Sequence, residues 1–350
     1  MSTTALPASV RPRVSRTPEA ALLAQAVTDT AALERLRPEW EALWRATPTA
    51  TPFQSPAWLL PWWRHVGCGT LASVALRSEE DGALVGLAPL YVYRDAATGQ
   101  RHLFPLGIAT SDDLDVLARP GHEARVVHAL IAHLHERREA WDVFEVPQLR
   151  SDAPLLRLAA PAGSRLAIGE DDPHPVLAWE TEPAIPKAVV ANLRTCRNRA
   201  ARTGPLQFEL ADPASLPRML DALFTLHAAR WSERAQPGVL ADAAVLAWHR
   251  EAAPLLLRAG LLRLHGLRLA GEWIALAYVL AHGTRSRYYI GGFDPRHAAL
   301  SPGALLIEHA IACAHAEGAR AFDFLRGAEA YKYRWGAVDE PRCVLRLWPR

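Results

Sequence analysis

The hydrophobic pattern of the second half of the chain predicts consecutive strands. Residues 262–269 alternate apolar and polar positions, residues 273–280 are almost all apolar, and a short strand-like run follows at 287–290. A period of two is typical of a half-buried strand, and a continuous apolar run is typical of a central one. These segments therefore predict three β-strands joined by tight turns at Ala270-Gly271 and His282-Gly283-Thr284.

Helical periods flank these strands. Apolar residues three and four positions apart predict helices over 216–234 and 242–258. Ser301-Pro302 marks the start of a long helix and Gly318 its end, because proline suits the first helical position and glycine the stop. The remaining predictions for this half are a basic helix over 192–202, strands over 206–210, 321–325 and 343–348, and a short helix over 329–335.

The first half of the chain repeats this order in a weaker form. Its predicted helices cover 32–44, 56–66 and 123–138, and its predicted strands cover 71–77, 84–93, 101–106 and 141–146. The run Trp141-Asp-Val-Phe resembles Phe322-Asp-Phe-Leu, 181 positions later, and each follows a helix. Such a repeat predicts a duplicated α/β unit.

Prolines cluster between the two halves, around 175–190, and place the boundary there. We predict a disordered tail over residues 1–20, a first domain over 21–180 and a second over 181–350. The tail carries Arg11, Arg13 and Arg16, which gives it a weak likeness to a transit peptide.

The composition limits the classes of protein to which this chain can belong. Half of the 350 residues are hydrophobic, 22% are charged and the net charge is +2, which predicts a globular protein without a DNA-binding footprint. The four cysteines form no C-x-x-C pair, so free thiols in a reducing cytoplasm are the simplest interpretation. No apolar run reaches the ~18 residues of a membrane span. We therefore expect a cytoplasmic protein.

Lysine is rare in this chain. Only Lys187 and Lys332 occur among 39 lysines and arginines, and Lys332 stands between Tyr331 and Tyr333, just past a predicted strand end. Arginine and lysine are not interchangeable, and α/β proteins place chemistry beyond strand ends. Lys332 is therefore a candidate for chemistry, with a solvated helix charge as the alternative.

The start of the long helix is a candidate anion site. Backbone N–H groups of Gly303, Ala304 and Leu305, next to Ser301, would point out of the helix N-terminus, which suits a phosphate or pyrophosphate. The alternative is a plain N-cap. Arg296, in the loop before the helix, is a further candidate for this cofactor site.

Several local sequences closely resemble the CelD-like family of bacterial tandem GNAT acyltransferases, over about residues 30–348. The matching motifs are Phe53-Gln-Ser-Pro-Ala-Trp, Leu226-His-Ala-Ala-Arg-Trp, Gly292-Phe-Asp-Pro, Leu300-Ser-Pro-Gly-Ala-Leu-Leu, Phe322-Asp-Phe-Leu-Arg-Gly and Tyr331-Lys-Tyr-Arg-Trp-Gly. The chain is more distantly similar to the FemABX-type aminoacyltransferases, which share a Tyr-Lys after the corresponding strand.

The resemblance implies an α/β (α+β) fold of two tandem GNAT-like domains, each with a mixed, mainly antiparallel sheet flanked by helices. It also implies acyl transfer from acyl-coenzyme A, normally acetyl-coenzyme A, to an amine or, less often, a hydroxyl. Lys332 would stabilise the oxyanion or a phosphate, and Tyr331 or Tyr333 would protonate the thiolate. Asp323 is either a base or an anchor for a basic side chain; we favour the anchor.

The candidate acceptor residues come from both halves. Several have a purely structural alternative: a solvated acidic turn for the aspartates, core packing for Trp231, and a plain i,i+3 ion pair with Lys332 for Glu329. The set is Asp112, Asp113, Asp115, Arg230, Trp231, Arg326 and Glu329. We expect the first half to bind no coenzyme and to shape the acceptor site.

The expected partner is a small-molecule or sugar acceptor, for example a polysaccharide precursor, and a homodimer is compatible with the sequence. Transfer from aminoacyl-tRNA, as in FemABX-type proteins, is the alternative chemistry, and a catalytically inactive scaffold of a polysaccharide assembly is the non-enzymatic one. We expect no metal, since His128, His133 and His135 lack the i,i+4 spacing of helical ligand pairs.

Overall fold

The computed structural model describes residues 21–232 and 238–349, without the side chains of residues 230–232 and 239. The elements of the first half are β1 (Leu22–Val27), α1 (Thr30–Arg35), α2 (Arg37–Ala46), α3 (Pro56–His65), β2 (Thr70–Leu71), β3 (Ser73–Ser78), β4 (Leu84–Ala88), β5 (Leu90–Arg94), β6 (Arg101–Pro105), β7 (Leu117–Ala118), α4 (Glu123–Glu136), β8 (Val143–Arg150), β9 (Arg165–Glu170) and β10 (Pro175–Ala178).

The second half follows the predicted order closely. Its elements are α5 (Lys187–Ala201), β11 (Leu206–Leu210), α6 (Leu216–Ser232), α7 (Ala243–Arg258), β12 (Leu262–Leu269), β13 (Glu272–His282), β14 (Arg285–Phe293), α8 (Pro302–Ala316), β15 (Ala321–Asp323), α9 (Ala330–Tyr333), β16 (Val338–Asp339) and β17 (Arg342–Trp348).

Local chemistry explains several of these boundaries. Ala270 and Gly271 both have positive φ, which matches the tight two-residue turn that joins β12 to β13. The predicted strand over 84–93 divides at Pro89, because proline has no N–H to donate to a sheet ladder. As a result, β4 and β5 lie in two different sheets.

The two halves have mixed, mainly antiparallel sheets. The described strands form a sheet of order β1-β3-β4-β7, a sheet of order β2-β5-β6-β8-β17-β9 and a sheet of order β11-β12-β13-β14-β15-β10-β16. In each half one parallel pair interrupts the antiparallel pattern, β6 with β8 and β14 with β15. The predicted fold class is therefore confirmed.

The halves exchange strands across the predicted domain boundary at 180/181. β17, the last strand of the chain, pairs with β8 and β9 of the first half. Conversely, β10 precedes the predicted boundary in the sequence but pairs with β15 and β16 of the second half. A contiguous cut cannot describe this arrangement, because each half uses one strand of the other.

A shared hydrophobic core joins the halves. One cluster of buried side chains contains Trp58 of α3 and Trp248 of α7. Their rings pack edge to face with centroids 4.6 Å apart, and Trp248 Nε1 donates to the Trp58 carbonyl at 3.2 Å. The interface is therefore packed like a domain interior. Each helix of the described segments is too short or too polar to cross a lipid bilayer.

Candidate functional site

Two neighbouring strands of the second half separate after three residue pairs. β14 and β15 pair only over residues 285–287 and 321–323. β14 then continues to Phe293 beside β13, with a register irregularity that skips Tyr289. Among the described strands, none replaces β15 on the free side of β14. An unpaired strand edge presents N–H and C=O groups, so this gap is a surface that can bind an extended ligand.

Cavities open on both sides of the gap. The first, here called the α8 cavity, has a volume of about 660 Å³, and the second, the interdomain cavity, about 550 Å³. Both lie within the range typical of ligand pockets. They share Tyr288, Gly291 and Tyr331, so they meet at the gap between the strands.

The N-terminus of α8 forms one wall of the α8 cavity, and Ser301, Gly303 and Ala304 line it. Ser301 takes a left-handed conformation with φ of 49°, and its carbonyl accepts the N–H groups of Ala304 at 3.0 Å and Leu305 at 3.1 Å. The Leu305 side chain is buried in the core rather than in the cavity. Of the three N–H groups predicted to bind an anion, those of Ala304 and Leu305 are therefore already bonded, and Gly303 is left at the positive end of the helix dipole, which lines the cavity.

The predicted contribution of Arg296 to this wall does not appear. Its guanidinium forms an ion pair with Asp294 at 2.7 Å, is 86% exposed and is not part of the cavity lining. A different arginine, Arg334, lines the rim of the α8 cavity and is exposed. Sequence reasoning missed Arg334, although it belongs to the Tyr-Lys-Tyr-Arg motif.

Lys332 is buried, with 3% of its surface exposed. Its Nζ donates to three consecutive carbonyls, of Leu325 at 3.0 Å, Arg326 at 2.6 Å and Gly327 at 3.1 Å. Glu329 lies 2.9 Å away. An ammonium has three donors, so these contacts occupy all of them. Lys332 therefore holds the turn between β15 and α9, and no donor remains for an oxyanion in this geometry.

The two tyrosines that flank Lys332 have different surroundings. Tyr331 lines both cavities, at the point where they meet. Tyr333 lines neither, and its hydroxyl donates to Asp339 at 2.9 Å. Consecutive helical positions differ by about 100°, which separates the two side chains. We therefore leave Tyr333 out of the candidate catalytic set.

Asp323 has no surface exposure and several partners. It accepts the Leu325 N–H at 2.8 Å and lies 2.9 Å from His174 Nε2 and 3.0 Å from Arg285. Burial opposes its charge, but His174, Arg287 and Arg285 hold the pKa of this carboxyl well below its usual range. A carboxylate of this kind is a poor base, and the anchor role is the better description.

His174 carries the matching charge. Burial disfavours its protonation, but the Asp323 carboxylate outweighs burial and raises the pKa of His174 above its ordinary value of 6.5. The folded state therefore holds a proton that the unfolded chain releases above that value. The resulting stability is fully present below pH 6.5 and disappears as the pH rises through the folded pKa.

We expect the free energy of unfolding to fall above pH 6.5 with a slope of up to about 1.4 kcal/mol per pH unit from this group. The His174→Gln variant lacks the proton, so its stability should depend less on pH over the same range. Urea unfolding of both proteins from acidic to alkaline pH measures the difference. Parallel curves would contradict a charged His174.

The three aspartates predicted as one acceptor cluster separate in the structure. Asp112 lines the interdomain cavity, 3.2 Å from Arg326 Nε, and it accepts the Arg326 backbone N–H at 3.1 Å. Asp113 and Asp115 instead line another cavity, of about 20 Å³. Asp113 is buried 2.8 Å from Arg342, and burial raises the pKa of Asp115 to about 8. Of the three, Asp112 remains a candidate acceptor residue.

The other predicted acceptor residues fall into two groups. Arg326 and Glu329 line the interdomain cavity. The side chains of Arg230 and Trp231 lie outside the part of the chain that the structure describes. His227, one turn before them on α6, is buried and also lines this cavity. Sequence reasoning quoted the His227 motif without assigning the residue a role.

A family comparison matches the segment that supplies most of the lining of the two cavities. Residues 187–333 match the model of the acetyltransferase (GNAT) domain. This range runs from the first residue of α5 to the last of α9. Over this range the chain is therefore similar to GNAT acetyltransferase domains. No curated protein sequence matches the chain.

Solved structures are similar to this chain over most of its length. FemX shares 12% identity over 88% of this chain and 95% of its own, with a TM-score of 0.65. A conserved protein of unknown function from Bacteroides thetaiotaomicron shares 13% over 93% and 100%, with a TM-score of 0.59. L-PGS from Bacillus licheniformis shares 13% over 77% and 82%, with a TM-score of 0.50. At these identities the similarity is one of fold.

Proposed function

We propose that this protein is an N-acyltransferase that moves an acyl group, normally acetyl, from acyl-coenzyme A to an amine of a sugar, polysaccharide precursor or small metabolite. The observation that carries the proposal is the pair of cavities that meet at Tyr288, Gly291 and Tyr331. Direct transfer in a ternary complex needs two binding sites that open onto one reaction point, and this geometry supplies them.

The α8 cavity is the proposed donor site. The free edge of β14 suits the amide groups of the pantetheine arm, since it offers N–H and C=O groups without a strand partner on that side among the described residues. The N-terminus of α8 suits the pyrophosphate. Arg334, at the rim, forms no ion pair with the described residues and would add a positive charge for a phosphate.

The interdomain cavity is the proposed acceptor site. Asp112 and Arg326 pair across the two halves on its wall, and Glu329 adds an exposed carboxylate. Carboxylates favour an ammonium or the hydroxyls of a sugar. The first half would thus shape the acceptor site without holding the coenzyme.

The proposed reaction needs one base and one acid. His227 takes a proton from the acceptor amine, whose nitrogen attacks the thioester carbon. The C–S bond then breaks, and Tyr331 gives its hydroxyl proton to the leaving thiolate. N–H groups on the free edge of β14 would stabilise the oxyanion. Lys332 has a positioning role, because its donors already hold the turn at residues 325–327.

We expect acetyl-coenzyme A to release free coenzyme A in the presence of an amine acceptor. A panel of amino sugars and small amines, with thiol release as the readout, tests this. His227→Gln and Tyr331→Phe should each lower kcat by about 10²-fold to 10⁴-fold, the usual contribution of an acid or base. Tyr333→Phe is the matched control and should retain activity, because Tyr333 contacts Asp339 rather than a cavity.

Other outcomes of this assay support the alternatives. Transfer from aminoacyl-tRNA but not from acyl-coenzyme A would support a FemX-like reaction. No binding of either donor and no transfer would support a scaffold in polysaccharide assembly. Equal loss of activity in the Tyr331 and Tyr333 variants would contradict the assigned acid.

The Gly303→Ala variant tests the proposed donor site, because it adds a single methyl group there. A Cβ added at Gly303 would meet only Phe293 Cδ1 at 3.6 Å, an ordinary contact, so Gly303→Ala should not destabilise the fold. If phosphate approaches this backbone, the methyl group should weaken acetyl-coenzyme A binding about tenfold or more. Titration calorimetry measures the affinity.

Gly169→Ala is the control for this variant. Gly169 lies on β9, away from both cavities, and its added Cβ would be 3.9 Å from the Val344 side chain. Affinity for acetyl-coenzyme A should stay unchanged in this variant. Unchanged affinity in Gly303→Ala as well would argue against phosphate binding at the start of α8.

A further inference from the structure

Three potential metal ligands meet on the face of the second-half sheet that α8 covers. His309 and Cys313 are four residues apart on α8, which places them on one face of the helix. His265 comes from β12 and is buried. One ligand atom of each residue lies within 4.8 Å of the others. This cluster is outside the cavities described above.

The spacing of these atoms fits a metal ion. His309 Nε2 and Cys313 Sγ are 3.5 Å apart. In a tetrahedral zinc site, with Zn–S of about 2.3 Å and Zn–N of about 2.0 Å, adjacent sulfur and nitrogen ligands are separated by about 3.5 Å. His265 Nδ1 is buried and has no hydrogen-bond partner among the described residues. A buried imidazole nitrogen without a partner is costly and is explained if the ring faces a ligand.

The electrostatic surroundings allow a cation. Arg263, the basic residue nearby, is paired with Glu317 at 2.9 Å.

Another cluster of potential ligands serves as a contrast. Asp113, His174 and Asp323 also lie close together and are fully buried. Their charges are already matched, because Arg342 lies 2.8 Å from Asp113 and Arg285 lies 3.0 Å from Asp323. A divalent cation there would face guanidinium groups. Near the cluster on α8, the guanidinium of Arg263 is instead paired with Glu317, which is not one of the three ligands.

We propose that His265, His309 and Cys313 bind one Zn²⁺ ion, with water in the fourth position. The thiol of Cys313 loses its proton to solvent on binding, and the thiolate and two neutral imidazoles become the ligands. The ion links β12 to α8, the same helix whose first turns line the α8 cavity. The site is independent of the proposed acyl transfer.

Binding is tested with the full chain, free of any histidine tag. We expect about one equivalent of Zn²⁺ by calorimetry and elemental analysis. Co²⁺ in its place should give a tetrahedral spectrum with a sulfur-to-cobalt charge-transfer band, since Co²⁺ accepts the same ligands. Cys313→Ser should remove that band and weaken Zn²⁺ binding by more than about 100-fold, as His309→Gln should, since even the loss of an outer-shell partner costs 10-fold to 100-fold.

Matched controls separate the site from other ligands on the surface. Cys68→Ser changes an exposed cysteine of the first half, and His128→Gln changes an exposed histidine of α4. Both variants should bind Zn²⁺ as the wild type does. Absence of the charge-transfer band, or equal affinity in Cys313→Ser and Cys68→Ser, would overturn the proposal.

A measurement on the wild type alone covers the case in which a variant does not fold. Mass spectrometry can follow the alkylation of each cysteine with and without Zn²⁺. Zn²⁺ should slow the modification of Cys313 severalfold and leave Cys68 unchanged. Equal rates for Cys313 with and without the metal would contradict coordination by its thiolate.

Discussion

Replacing Lys332 by methionine should lower both the stability and the activity of the protein. The methionine side chain fills a similar volume but donates no hydrogen bond, so the buried carbonyls of Leu325, Arg326 and Gly327 lose their partner. Hydrogen bonds to a charged group contribute about 1.5 to 3 kcal/mol each and are not additive. We expect a loss of at least about 3 kcal/mol in the free energy of unfolding.

Activity should fall as well, because the turn at 325–327 places Arg326 beside Asp112 on the acceptor wall. A displacement of about 1 Å in such a wall can lower turnover about 100-fold. Urea unfolding and kcat, measured on the same preparation, test the two effects together. Lys332→Arg should not restore activity, because the guanidinium cannot place three donors on consecutive carbonyls.

Lys187→Met is the matched control for the Lys332 variant. Lys187 is the other lysine of the chain and lies exposed at the start of α5. Its replacement should leave stability within about 0.5 kcal/mol of the wild type. If Lys332→Met lost activity at unchanged stability, Lys332 would act on the substrate, as the sequence suggested, and the positioning role would be wrong.

Replacing Arg342 by methionine should also destabilise the protein strongly. Arg342 is 4% exposed, and its Nε donates to Asp113 at 2.8 Å. The variant leaves Asp113 buried, with Arg287 at 3.8 Å as a weaker partner. Removing one member of a buried ion pair typically costs about 3 to 5 kcal/mol. Chemical unfolding at neutral pH measures the loss.

Arg346→Met controls for the change of side chain on the same strand. Arg346 pairs with Glu145 at 3.0 Å but is 43% exposed, so its replacement should cost no more than about 1 kcal/mol. The double variant Asp113→Asn with Arg342→Met should recover part of the loss, since it removes the unpaired charge. Equal effects of the two single arginine variants would show that the buried pair does not hold the halves together.

The sequence predicted the elements of the second half well, because each one has a strong local signal. The alternation at 262–269 became β12, and Ser301-Pro302 and Gly318 bounded α8 to within about two residues. β1, β9 and β10 were missed. β9 is short and largely exposed, so its residues carry little periodic pattern.

For the candidate site, too, the sequence predicted the features that have local signals and missed those that depend on packing. The sequence indicated the Tyr-Lys turn and the start of α8, since a proline, a glycine and a rare lysine can each be recognised within a few residues of sequence. It could not indicate that Lys332 points at three carbonyls, or that Tyr333 faces Asp339. The direction of a side chain depends on what packs around the helix, and that information is not local.

By itself, then, the sequence determined the class of the elements, their order, the duplication and the two segments around which a site is built. Tertiary structure alone decided the exchange of β10 and β17, the separation of Asp112 from Asp113 and Asp115, and the meeting of His265 with His309 and Cys313. The physical reason is the range of the interactions. Periodicity and capping act over a few residues, whereas strand pairing, ion pairing and ligand geometry join residues far apart in the chain.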